Sequence, residues 1–343
     1  MTVSRPQLAP ASRRLWRDRE TLQLGRTPGR AVVLAGVDAL VRTFLGLLDG
    51  TKDRQGLLNA AAQSGCPPDQ AERTLQLLEG AGLLEDAALA RPGPPTLERG
   101  ERDRLHSDLL SLQLLRPGSH RAVAARRGAA RIVVLGAGRV GAPIALLLAS
   151  SGIGAVDVVD EGTARPEDCG VGGLRPDQVG LRRGDAARAL VQQLAPSVRT
   201  TTLVLPDVVV LAPAAGLPTP EAPPLVPHLL AEVRDGTGVV GPLVRPGSAC
   251  LRCLDHERTD RDPDWPALAA QLSLPARGVT ACDAVLAIAV AAQAVHQVLG
   301  LVDGDARPAS VGGTLELALP DWRWRRRSWQ IHPACDCQWR GTG

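Results

Sequence analysis

Apolar and polar positions fall into two regimes along the chain. Up to about residue 90 the apolar runs are short. Thr21 to Leu24 and Ala31 to Leu34 flank the turn Arg26-Thr27-Pro28-Gly29 and predict two small strands. Helical spacing follows over Asp38 to Leu48, Asp53 to Gln63 and Pro68 to Ala81, the last opened by Pro67-Pro68-Asp69 and stopped by Gly80-Ala81-Gly82. Leu83-Leu84-Glu85 then predicts a wing strand. Farther along, apolar runs at 131–135, 155–160, 198–205 and 207–212 alternate with helical segments at 143–150 and 184–194. That alternation predicts a doubly wound, mostly parallel sheet with helices on both faces, an α/β fold of Rossmann-like type.

The two regimes set the expected domains. Residues 1–90 read as a winged-helix-like module, 91–105 as a linker containing Arg91-Pro-Gly-Pro-Pro-Thr96, and 106–343 as the nucleotide-fold domain. Winged-helix modules often bind DNA, but the third helix here carries Asp69, Glu72 and Glu79 beside Arg73 and Gln76. A face without net positive charge does not track phosphates. A peptide suits it better, because an open sheet edge beside a helix offers unpaired backbone groups to an incoming strand. The expected contacts are Val32, Val33, Leu34, Arg73 and Gln76.

Chemistry enters first at Gly136-Ala137-Gly138-Arg139-Val140-Gly141, placed between the strand Arg131 to Leu135 and a helix. Glycines there allow a tight turn and close backbone approach to a phosphate, and the second strand ends at Asp160, where an acid accepts from ribose hydroxyls. Gly136, Gly138, Gly141 and Asp160 are therefore candidate nucleotide-binding residues. Four cysteines make a second candidate. Cys250-Leu-Arg-Cys253 and Cys335-Asp-Cys337 are two close pairs with short spacers, as in a tetrahedral four-thiolate zinc site, which is closed and structural. Of the other thiols, Cys66 and Cys169 lack a partner at ligand spacing, and Cys282 sits where a helix is expected to start, a position that lowers thiol pKa values, so it reads as a packed helix-cap cysteine first and a reactive thiol second.

Composition narrows the classes. Of 343 residues 44% are hydrophobic, enough for real cores, and the net charge is only +3 with 39 basic residues spread along the chain, so no general nucleic-acid surface is expected. The densest basic cluster, Trp322-Arg-Trp-Arg-Arg-Arg327 with Trp329, alternates like an edge strand. Ala284 to Val302 is the longest apolar stretch, but Gln293, His296 and Gln297 mark it as a packed helix rather than a membrane span. The sequence reads without a signal peptide, so the cytoplasm is the expected compartment and disulfides are not expected.

From Arg131 onward the chain resembles the ThiF/MoeB superfamily, the adenylating relatives of ubiquitin-activating enzymes. The resemblance rests on Gly136-x-Gly-x-x-Gly141, on Gly152-Ile-Gly-Ala-Val-Asp-Val-Val-Asp160, and on Val179-Gly180 before a helix ending Leu194-Ala-Pro196. It extends to Gly247-Ser-Ala-Cys-Leu-Arg-Cys253 with the terminal cysteine pair. It implies structural Zn2+ on Cys250, Cys253, Cys335 and Cys337, ATP with Mg2+ on the glycine loop and Asp160, and paired nucleotide domains in a homodimer. The implied reaction is adenylation of the C-terminal carboxylate of a small carrier protein or peptide, with Arg183 and Cys282 as candidate catalytic groups.

Departures qualify that implication. The second acid of the family's Asp-x-Asp is Gly162, the Asn-x-x-Arg-Gln segment reads Asp168-Cys-Gly-Val-Gly-Gly173, the lysine position is Arg183, and the strand from Val208 to Gly216 ends without an acid for magnesium. Adenylation needs positioned cations against a developing anionic phosphorus. A degenerate core behind a winged-helix module resembles the leader-peptide-binding partner of azole-forming cyclodehydratases, as does Cys-x-Cys after His332-Pro333. In those systems of bacteriocin-type ribosomal peptide biosynthesis the module is a precursor-recognition element that delivers a leader peptide to a YcaO-type enzyme. A non-catalytic peptide-binding scaffold is thus the expected function and an ATP-dependent adenylyltransferase the alternative. An NAD-dependent oxidoreductase would leave the four cysteines without a purpose.

Overall fold

The computed structural model describes residues 3–88, 99–116, 118–202, 205–213, 226–272, 281–305 and 307–337. The chain packs as two units, Met1–Pro95 with Arg102–Ala125, and Thr96–Glu101 with Arg126–Gly343.

The first unit opens with β1 (Pro6–Leu8), β2 (Arg14–Trp16), β3 (Leu22–Leu24) and β4 (Val32–Leu34), then α1 (Ala39–Gly46), α2 (Arg54–Gln63), α3 (Pro68–Gly80) and β5 (Leu84–Asp86). The strands β2, β3 and β4 form an antiparallel sheet with β4 at one edge, and β5 returns to pair with β1. Two aspartates start the helices. Asp38 accepts from Val41 N at 2.8 Å and Asp53 from Gly56 N at 2.7 Å, satisfying amides that a helix start leaves open. In α3, Ala71, Leu75 and Leu78 recur at helical spacing and are buried, while Arg73, Gln76 and Leu77 face outward. They meet Leu22, Leu24, Phe44, Leu48 and Leu57, each of which is fully buried and contributes roughly 1.5–3 kcal/mol.

Next come α4 (Arg99–Arg104), α5 (His106–Leu115) and α6 (His120–Ala129). Residues 91–98 of the expected linker lie outside the described residues, and its remainder is mostly α4. The sequence reading placed 106–125 with the larger domain, yet they group with the first unit. Specific contacts hold them there. Gln113 Oε1 accepts from Ala11 N at 3.3 Å, His120 Nε2 stands 2.9 Å from Glu85 Oε1, and Leu112, Val123 and Ala124 form a small apolar cluster.

The second unit continues with β6 (Arg131–Leu135), α7 (Gly141–Ser150), β7 (Ala155–Val159), α8 (Arg183–Leu194), β8 (Val208–Leu211), β9 (His228–Arg234) and β10 (Thr237–Val244). After these come α9 (Leu251–Arg261), α10 (Trp265–Leu272), α11 (Ala284–Val302), β11 (Gly313–Ala318) and β12 (Arg323–Ser328). One seven-stranded sheet has the order β12-β11-β10-β9-β8-β6-β7. From β7 to β9 neighbours are parallel, and from β9 to β12 they are antiparallel. The strand expected at 198–205 contributes only the bridge from Arg199 to Ala155 among its described residues. Its run Arg199-Thr-Thr-Thr202 offers no apolar alternation to bury beside β7. On one face α7, α8 and α11 cover Ile132, Val134, Val156, Val158, Val208, Val210 and Leu229. The long apolar α11 is a packed helix that buries Leu286, Val290, Ala294 and Val298 against this sheet. A smaller cluster of Val133, Val209, Leu211 and Leu230 lies on the other face.

Candidate functional site

The glycine turn and Asp160 meet at the C-terminal ends of β6 and β7, where β7 lies on one side of β6 and β8 on the other. Open α/β sheets bind ligands at such a switch point. Gly136 N donates to Val159 O at 2.9 Å, which closes the turn onto the neighbouring strand. Helix α7 then starts without any side chain capping its first amides, the arrangement that suits an anion. A Cβ on Gly141 would stand 1.9 Å from Gly136 O, so only glycine lets the helix begin this close to the turn.

Asp160 is not open to a ribose. Its side chain is fully buried, and Oδ2 accepts from Ala137 N at 2.7 Å while Oδ1 accepts from Gly162 N at 2.8 Å. Arg183 takes the remaining acceptors in a bidentate contact, Nε to Oδ2 at 2.9 Å and Nη2 to Oδ1 at 3.2 Å. Its Nη1 reaches Asp168 Oδ2 at 3.3 Å. Burial alone would lower the pKa of Arg183, but Asp160 and then Asp168 outweigh it and raise the pKa above the ordinary arginine value. Gly162 makes the room, since a Cβ there would lie 2.3 Å from Arg183 Nη2.

The corner therefore does not fit the ATP and Mg2+ that the resemblance implies. Its ribose acid is spent on an internal cation, and the residue at the family's lysine position faces two acids rather than a ligand. The sequence reading missed Asp168 as the third member of this cluster and Gly162 as its cradle. Both are visible in the sequence as an acid at the family's Asn position and a glycine at its second acid. Residues 214–216, at the end of the strand expected to lack the magnesium acid, lie outside the described residues.

Cys282 is a packed cysteine, half-buried against the core of the large sheet. Asp283, not Cys282, caps α11, its side chain accepting from Val285 N and Leu286 N at 2.9 Å. The thiol therefore stands one residue ahead of the cap. Burial pushes its pKa up against the opposing charge of Arg139. Nothing in that setting generates a thiolate nucleophile.

At the peptide edge, Val33 points outward from β4 while Val32 and Leu34 pack against the module core. Arg73 and Gln76 lie on the exposed face of α3. Strand edge and exposed helix face thus belong to the same unit.

The cysteines converge. Cys250, Cys253, Cys335 and Cys337 bring their four Sγ atoms within 4.8 Å of one another, with 3.8 Å from Cys250 to both Cys253 and Cys335 and 3.3 Å from Cys253 to Cys337. Metal–sulfur bonds of about 2.3 Å in a tetrahedron place sulfurs about 3.8 Å apart. The set fits one tetrahedral metal ion. Burial pushes the Cys250 thiol up, and burial followed by the bonds to Cys253, Cys335 and Cys250 pushes Cys337 up, so a cation among them would favour the thiolates. Trp329 packs against the cluster with Leu254, and its Nε1 donates to Thr314 Oγ1 at 3.0 Å, tying the cysteine-bearing tail to β11.

Comparison with known proteins agrees with this architecture. Residues 113–207 match the ThiF family. The microcin C7 biosynthetic enzyme MccB in complex with N-formylated MccA is similar over 97% of this chain and 99% of its own, with a TM-score of 0.66 at 16% identity. E. coli MccB with ATP gives 0.65 at 15% identity over 97% and 99%, and PaaA gives 0.69 at 20% identity over 94% and 99%. At such identities the likeness establishes the fold. No curated protein matches the chain in sequence at a significant level. The residues that match the ThiF family hold the glycine turn, Asp160 and Arg183, and the fold around them is similar to that of MccB.

Proposed function

We propose that the chain captures an extended precursor peptide on β4 and presents it to a YcaO-type partner enzyme in ribosomal peptide natural-product biosynthesis, without carrying out the chemistry itself. The observation that carries this reading is the pair Arg183 and Asp160, which fills the nucleotide corner with the protein's own charges. An intact scaffold with its catalytic corner occupied suits binding rather than adenylation. In this reading the open edge of β4 and the exposed face of α3, both in the first unit, supply the peptide site, with Val32, Val33, Leu34, Arg73 and Gln76 as its contacts. That a similar protein, MccB, was solved with a peptide, N-formylated MccA, supports a peptide as the ligand class. In this reading Zn2+ occupies the four cysteines as a structural ion, the chain works in the cytoplasm, and two copies pair.

The test is peptide binding to the metal-loaded full chain by fluorescence anisotropy. Val33→Pro removes a ladder donor from the edge and should abolish binding in a folded protein. Unchanged affinity in that variant would sink strand addition.

A second reading, ATP-dependent adenylation of a peptide or carrier carboxylate, draws on the likeness to MccB, which was solved with ATP. It requires Arg183 to leave Asp160 before a nucleotide can enter. Pyrophosphate exchange dependent on the bound peptide would favour it over the scaffold.

A further inference from the structure

The two edges of the large sheet are unlike. At β7 four of five residues are buried, whereas all six residues of β12 are exposed. That outer edge reads Arg323-Trp-Arg-Arg-Arg-Ser328 and, among the described residues, pairs only with β11 on its inner side. We infer that β12 is a docking edge for an acidic, extended peptide segment, which adds to the sheet as a further antiparallel or parallel strand.

Three observations carry this. Register places Arg323, Arg325 and Arg327 opposite Ala318, Glu316 and Thr314, so the three arginines share one face. Along a strand they recur about every 6.5–7 Å, and acids at every second position of an added strand would stand across from them. Asp321 pairs with Arg325 and accepts from Arg323 N, and Glu316 stands across from Arg325, but four arginines in six residues still leave the strand positive. Next, the strand is pinned in place. Arg326, on the opposite face, donates from Nε to Ala309 O at 2.8 Å and from Nη2 to Val311 O at 3.2 Å, so the edge is held as a rigid template. Finally, Trp322 and Trp324 are 44% and 37% exposed on either side of Arg323 and offer apolar contact area to a bound segment.

Charge decides among occupants. A second copy adding through its own β12 would set arginine against arginine, which is unfavourable for directly opposed strand residues. Single-stranded nucleic acid could stack on the tryptophans, but it cannot use the row of unpaired backbone donors and acceptors that an edge strand presents. An acidic polypeptide uses both the charges and the backbone. The edge is distinct from β4, which lies in the other unit.

The experiment titrates a fluorescein-labelled peptide of alternating Glu and Val into metal-loaded full chain, beside a Lys/Val peptide and a labelled oligo-dT. The Glu/Val peptide should bind, weaken as salt rises, and protect the amides of 323–328 from hydrogen exchange. Arg323→Glu with Arg325→Glu, both exposed, should weaken it by about tenfold or more. Tighter binding of oligo-dT, equal binding by the charge-reversed protein, protection outside β12, or no binding at low salt would each overturn the inference.

Discussion

Arg183 grips Asp160 with two nitrogens, Nε at 2.9 Å and Nη2 at 3.2 Å, in a corner where both side chains are almost wholly shielded from water. Geometry of this kind costs desolvation of both charges and returns it only while both partners stay. Removing one partner leaves a buried charge uncompensated, an effect of about 3–5 kcal/mol. Arg183→Met would strand Asp160 and Asp168 as two neighbouring carboxylates, so it should lower stability by that amount in urea unfolding of the second unit. The wild-type protein should give no binding heat with ATP and Mg2+ in calorimetry, because the acid that would hold the ribose has no acceptor to spare.

Gly162 extends the same argument to a restoration. Placing Asp there brings Cβ within 2.3 Å of Arg183 Nη2, and the flexible guanidinium must give way. Gly162→Asp alone should therefore cost stability and loosen Arg183. Joined with Arg183→Lys, it recreates the acid pair and lysine of the adenylating family with a shorter, compact cation. The double variant should bind ATP detectably in the same calorimetric assay where the wild type does not. Equal silence from both proteins would mean that the missing arginine of the 168–173 segment, not the internal ion pair, keeps nucleotide out.

How much of this was legible in the sequence differs by physical cause. Apolar periodicity marked α3 and the run from Arg131 to Leu135, which fall where the pattern puts them, but not the short β1 and β2 or the antiparallel β9 and β10. Spacing alone paired the cysteines, because metal geometry leaves few alternatives for two close pairs. What the pattern could not give was partnership over distance. Asp168 reads as one acid among many until Arg183, 15 residues on, folds back against it. Likewise α5 and the start of α6 look like the start of the larger domain, and contacts such as Gln113 bonded to Ala11 and His120 beside Glu85 tie residues up to Ala125 to the first unit. Cys282 packs at the helix start as its sequence position implies, and Asp283 rather than the thiol takes the cap because a carboxylate accepts the first amides better.

Metal removal tests the second feature of the fold. Loss of one thiolate from a four-cysteine site releases the ion, and a segment tied down by it loosens. Cys335→Ser should drop zinc content well below one per chain by atomic absorption and open the residues after Trp329 to protease. Because Trp329 joins this cluster to Thr314, its fluorescence should change in the same variant. Retention of one zinc per chain would remove Cys335 from the ligand set.

Glu85 gives the first unit an acid-sensitive fastening. Burial would raise its pKa, but the bonds from His120 and Gln113 and the charges of His120 and Arg121 outweigh it and hold the carboxyl below its ordinary value of 4.5. A carboxylate depressed on folding stabilises the protein fully above its unfolded pKa, and the contribution disappears as pH falls through the lower folded value. The unit should therefore lose stability below about pH 4.5 as Glu85 takes up a proton. Glu85→Gln removes the charge and should cost about 1.5–3 kcal/mol at pH 7, the range for hydrogen bonds to charged groups. The gap between wild type and variant should close as the pH approaches 3 in paired urea titrations. A gap that stays constant across that range would show that the fastening of β5 to α6 does not depend on the Glu85 charge.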